Sequence, residues 1–109
     1  MKTISRGELK KKLDSGEDFH LVNVLSQDHF EQQHIPKSIN IPLDQLEDEA
    51  PKKFDKGDEI VVYCASEECQ ASPKAAKKLS EMGFKKVKDY EGGVKDWKEA
   101  GLDMEGNDA

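Results

Sequence analysis

The sequence predicts an α/β domain with a parallel sheet covered by helices on both faces. Three observations carry this. Short β-prone apolar runs alternate with helical segments along the whole length, the mark of successive β-α-β units. Serine, glycine and proline punctuate the segments where caps and turns are needed. The length of 109 residues suits one domain with a thin core, so the units are expected to fold together as a single domain over residues 1–109.

Each element has its own signal. Ser5-Arg6-Gly7-Glu8 has the form of a capping box, and Leu9 and Leu13 follow at helical spacing before Gly16 ends the helix. Phe19 to Leu25 is apolar and β-prone, and reads as a buried strand. Ser26 caps a second helix running through Gln33. His34-Ile35-Pro36 stops it, because the residue before proline is pushed out of the helical region. Ser38 to Pro42 alternates as a short strand, Leu43 to Ala50 is a weak helix, and Pro51 to Gly57 is a polar connection. Glu59 to Tyr63 is the cleanest strand, and Cys64 follows it directly. Ser72-Pro73 reads as N-cap and first helical position of a helix whose buried face is Ala75, Ala76, Leu79 and Met82, ending at Gly83. Lys86 to Tyr90 is a further strand, Gly92-Gly93 a turn, and Val94 to Ala100 a last helix.

Composition narrows the function classes. The net charge of −6 argues against nucleic acid or an anionic membrane as partner, since both need a basic footprint. No run approaches the ~20 apolar residues of a membrane span, and the first residues lack the apolar core of a signal peptide, so a cytoplasmic location is expected. Two cysteines without a secretory signal suggest reduced thiols rather than a disulfide framework. Their spacing, with no clustered third ligand, makes a poor zinc site, and neither metal nor cofactor is expected.

Cys64 is the candidate nucleophile. In a parallel sheet the ligand sits at the carboxyl ends of the strands, and Cys64 lies at such an end. Only the thiolate is nucleophilic, and a free cysteine has a pKa of ~8.5, so something must stabilise the anion. A short loop leading from a strand into a helix can aim backbone N–H groups and the helix dipole at one point. The same residue could instead be an inert thiol closing a core strand, and local pattern alone leaves both readings open.

Five segments, in order, resemble the rhodanese family. They are Leu21-Val22-Asn23-Val24; His34 through Pro42; Ile60-Val61-Val62-Tyr63-Cys64; Ala75-Ala76-Lys77-Lys78-Leu79 with Met82-Gly83-Phe84; and Glu91-Gly92-Gly93-Val94 with Trp97, Ala100 and Gly101. The resemblance spans nearly the whole chain. It implies a three-layer fold with a five-stranded parallel sheet, and a catalytic cysteine at Cys64 that cycles through a persulfide. Two departures stand out. The family's usual Asp-Val-Arg after the first buried strand is replaced by Asn23-Val24-Leu25. The active loop is about two residues longer than the common form, and Gln70 stands where phosphatase-like members carry an arginine.

The substrate loop is Ala65, Ser66, Glu67, Glu68, Cys69 and Gln70. It holds two acids and no base, and Lys74 is the nearest cation in sequence. Glutamates near the sulfur would raise the thiolate's pKa and repel anions such as thiosulfate. They are therefore expected to point outward, with a neutral or protein-bound persulfide as donor. Cys69 is a candidate resolving thiol that could attack a persulfide or sulfenic acid on Cys64, or a small residue packed with its sulfur turned away. His34 is expected to bond the chain at a helix end, Asn23 to make a structural hydrogen bond, and Trp97 to pack in the core. Ser66 and Ser72 could donate to the sulfur or to substrate.

The expectation is a monomeric sulfurtransferase that takes sulfur from thiosulfate, a small persulfide or a persulfide-carrying protein and yields it to a thiophilic acceptor. The alternatives are a thiol–disulfide relay or sensor using Cys64 and Cys69, and a non-catalytic binding module on the same scaffold.

Overall fold

The computed structural model describes residues 2–108; Met1 and Ala109, the ends of the expected domain, lie outside the described residues. Along the chain run β1 (Lys2–Thr3), α1 (Arg6–Ser15), β2 (His20–Asn23), α2 (Gln27–Gln32), β3 (Ile39–Asn40) and a 3-10 turn at Leu43–Gln45. Then come α3 (Leu46–Lys53), β4 (Glu59–Tyr63), α4 (Ala71–Glu81), β5 (Lys86–Tyr90) and α5 (Gly93–Glu99). The strands form one five-stranded parallel sheet in the order β1-β5-β4-β2-β3. From β2 the chain moves toward one edge and from β4 toward the other. The carboxyl ends of β2 and β4 therefore flank the switch point where such sheets bind ligands.

The period-two alternation of the strands sorts the core into two layers. Val22, Ile60, Val62, Cys64 and Val87 pack with Leu46, Ala50, Ala75, Ala76 and Leu79 of α3 and α4. Leu21, Val61, Tyr63 and Tyr90 pack on the other face with Leu9 of α1 and Trp97 of α5. Among the described residues no helix is long and apolar enough to cross a membrane.

The capping box forms as its sequence predicts: the Glu8 N–H donates to Ser5 Oγ at 3.1 Å and the Ser5 N–H to Glu8 Oε1 at 3.2 Å. Gly16 ends α1 in the left-handed region, with φ 72°. Several elements differ from the sequence expectation; the strands expected over residues 19–25 and 38–42 shorten to His20–Asn23 and Ile39–Asn40, and the second helix ends at Gln32. The edge strand β1 carries no apolar pattern; its two exposed residues become a strand only by pairing with Lys88 and Asp89 of β5. The helix expected to stop at Ala50 is a 3-10 turn followed by α3, which runs through Pro51 to Lys53. Proline there forfeits one helical hydrogen bond, but Leu46, Ala50 and Phe54 form a buried stripe at four-residue spacing that holds the last turn down. The final helix begins at Gly93 rather than Val94.

Candidate active site

Cys64 directly follows the central strand β4 and turns its side chain toward α4, with 1% of its surface exposed. Ala65 to Gln70 form the loop, and α4 begins at Ala71. This corrects the expected helix start. The N-cap position falls on Gln70, which makes no side-chain cap, and Ser72 lies inside the first turn. Proline is tolerated anywhere in that turn, because the first N–H groups of a helix have no intrahelical acceptor. Ser72 is thereby freed from capping: it is buried, with its hydroxyl 3.4 Å from Cys64 Sγ. Within the loop, Cys69 N–H donates to Ser66 O at 3.1 Å, folding the chain back toward Cys64. Among the described residues, the N–H groups of Ala65, Ser66, Glu67, Glu68 and Gln70 donate to no other protein group, so they remain available to an anion.

Cys64 and Cys69 are joined as a disulfide, with their Cα atoms 6.4 Å apart. The separation falls inside the ~4.4–6.8 Å range that a bridge requires. This corrects the expectation of reduced thiols, and the reading of Cys69 as a residue whose sulfur points away. The loop's fold, which sequence spacing does not fix, brings the two sulfurs together.

Helix α5 clamps the start of the loop. Val94 N–H donates to Cys64 O at 2.9 Å and Lys95 N–H to Ala65 O at 2.8 Å. The approach requires glycine at position 93, where φ is +65°; a Cβ there would collide with the Cys64 carbonyl and lie 2.9 Å from Ser66 N. Asp96 holds α5 in turn, accepting from Tyr90 Oη at 2.5 Å and pairing with Arg6 at 2.9 Å. Burial and the Asp96 carboxylate both push the Tyr90 hydroxyl's pKa up, so it stays a donor.

Two clefts flank the loop. One is lined by Glu67, Glu68, Asp96 and Glu99, with Lys95 among them. The other has Leu25, Ala65 and Val94 with His29, Lys95 and Lys98. Glu67 and Glu68 are exposed, as expected of outward glutamates, whereas Cys69 and Ser66 are half-buried. Lys74 is the nearest cation in sequence, and α5 brings Lys95 to both clefts and Lys98 to the second.

Asp89 lies behind the site and was not singled out from sequence. It is fully buried, and neither carboxylate oxygen has a hydrogen-bond partner among the described residues. Burial raises its pKa and Glu91 adds to the rise; the Ser72 hydroxyl is near enough to oppose it without reaching hydrogen-bond geometry. A signal was present: Asp89 follows Val87 by two, which puts both on the face covered by α4.

The remaining candidates are structural. Asn23 Oδ1 accepts from Leu25 N–H at 2.9 Å. His34 Nδ1 donates to the Phe30 carbonyl at 2.7 Å, and its ring stacks on Phe30. Trp97 is buried and donates from Nε1 to Asp103 O at 2.8 Å. Tyr63 was overlooked: its hydroxyl accepts from Ile35 N–H at 3.0 Å and sits 2.8 Å from Ser38 Oγ, riveting the segment after α2 to the central strand. Among the described residues no three His, Cys, Asp or Glu side chains are grouped to hold a metal ion.

The chain belongs to the family described as the rhodanese-like domain, whose model matches residues 5–100. It is 35% identical over 94 residues to a Bacillus subtilis protein named "Putative sulfur carrier protein YrkF", covering 86% of this chain and 49% of that one. It is 34% identical over 91 residues to the thiosulfate sulfurtransferase GlpE of Coxiella burnetii, covering 84% and 78%. The human single-domain sulfurtransferase TSTD1 superposes with a TM-score of 0.81 at 26% identity, covering 91% of this chain and 96% of that one. The chain spans about half the length of the first curated relatives it matches, at 49% and 44%.

Proposed function

We propose that the protein is a sulfurtransferase in which Cys64 carries sulfur as a persulfide. The Cys64 thiolate attacks the outer sulfur of a donor, the donor's thiol leaves, and the bound sulfane sulfur passes to a nucleophilic acceptor. The observation that carries this reading is the position of Cys64. It directly follows the central strand at the switch point and opens a loop with unengaged backbone donors that closes on the first turn of α4. Relatives named as sulfurtransferases and as a sulfur carrier support the same chemistry. The second cleft, apolar at Leu25 and Val94 with Lys95 and Lys98 beside it, suits a small thiol persulfide or a persulfide-bearing protein segment as donor.

Intact mass after incubation of the reduced protein with a thiol persulfide tests the reading. Cys69→Ser, which lacks the second thiol, should gain one sulfur atom and Cys64→Ser none. Equal gain by Cys64→Ser defeats the proposal. The paired sulfurs favour a second reading, a thiol–disulfide relay that never carries sulfur. It predicts loss of two hydrogens on mild oxidation together with no sulfur uptake by Cys69→Ser.

A further inference from the structure

The loop contains a second thiol where a sulfur-carrying site needs an acceptor. We infer that Cys69 discharges the Cys64 persulfide within the loop and releases hydrosulfide, making the protein a persulfide reductase that is reset by a dithiol. The inference rests on the persulfide reading above.

Reach decides the chemistry. The Sγ atoms of Cys64 and Cys69 lie in bonding contact, and their Cα atoms are 6.4 Å apart. Cys69 therefore meets the inner sulfur of the persulfide, the one bound to Cys64 Cβ, rather than the outer sulfur. Its thiolate attacks Cys64 Sγ, an Sγ–Sγ bond forms, and the bond to the outer sulfur breaks. Hydrosulfide leaves with the electron pair and takes up the proton that Cys69 gave to solvent. The sulfane sulfur is reduced by two electrons and the two thiols are oxidised to the disulfide. A dithiol, becoming a disulfide itself, returns both cysteines to thiols. Over a cycle, a thiol persulfide and a dithiol give a thiol, hydrogen sulfide and a disulfide.

Two further observations favour the internal acceptor over an external one. Cys64 is 1% exposed in the bridged form, whereas Cys69 is half-buried and open to an attacking dithiol. On one side of the loop Glu67, Glu68, Asp96 and Glu99 face a cleft where, among the described residues, Lys95 is the one lining cation. Small anionic acceptors approaching there meet like charge.

Single-turnover discharge tests the inference. Reduced, desalted protein is loaded with glutathione persulfide, desalted again, and followed by intact mass and a hydrosulfide assay. Wild type is expected to lose its added sulfur, release one equivalent of hydrosulfide and finish two hydrogens lighter than the reduced protein. Cys69→Ser is expected to keep its added sulfur, with release at least about tenfold slower. If wild type holds sulfur as firmly as Cys69→Ser, the inference is overturned and the persulfide reading stands. If Cys69→Ser takes up no sulfur, both fall.

Discussion

Replacing Gly93 by alanine adds one methyl group at the point where α5 meets the cysteine loop. The backbone there has φ +65°, which costs an L-residue roughly 1–2 kcal/mol. The new Cβ would overlap the Cys64 carbonyl and lie 2.9 Å from both Ala65 C and Ser66 N, all backbone atoms that cannot rotate aside. Either the loop or the helix must move, and the bonds from Val94 N–H and Lys95 N–H to the loop, at 2.9 and 2.8 Å, are the first to stretch. Each is worth about 0.5–1.5 kcal/mol net. Together the effects amount to about 2–5 kcal/mol, a large share of the ~5–15 kcal/mol expected of a small domain. Urea unfolding of the reduced protein should show it, and alkylation of Cys64 in the same variant should need higher pH because the loop donors are displaced. Gly7→Ala is the control: nothing lies within 4 Å of a Cβ there, and an added methyl in α1 should stabilise by about 0.5–1 kcal/mol. Destabilisation by Gly93→Ala below ~1 kcal/mol with unchanged Cys64 alkylation would refute the clamp.

Two other substitutions probe the supports of the site. Tyr63→Phe removes the acceptor of the Ile35 N–H, a buried donor, and should cost about 1–3 kcal/mol in urea unfolding. Asp89→Asn tests the buried carboxyl. Its pKa is raised in the folded state, so between the unfolded value of ~3.9 and the folded value the native protein binds more protons, and its stability falls as pH rises through that window. The variant lacks this loss, so its stability relative to wild type should grow from pH ~4 toward neutrality. A difference that is flat or shrinks with pH would show that burial does not raise the Asp89 pKa.

The parts legible in the sequence are those whose signals are local. β4 and β5 run over the residues their apolar, β-prone runs predict, and the Ser5–Glu8 box caps α1 as written. Cys64 stands out as the candidate nucleophile because a strand end followed by a helix start is a local pattern too. What escaped depends on distant contacts. Lys2-Thr3 is a strand only because β5 lies beside it. Ser72-Pro73 carries the form of a cap and a first helical residue, yet the buried side chain of Ser72 faces the Cys64 sulfur instead. Gly93 reads as a turn residue until α5 is seen against the Cys64 carbonyl. The bridge from Cys64 to Cys69 depends on the path of a loop that no periodicity encodes.

The central claim is that this loop holds Cys64 as a stabilised thiolate. The most direct test is the pH dependence of Cys64 alkylation in Cys69→Ser, where the bridge cannot form and one thiol reports. A midpoint clearly below the ~8.5 of free cysteine is predicted. A midpoint at or above that value would contradict the claim and leave the chain a binding module on a rhodanese-like scaffold.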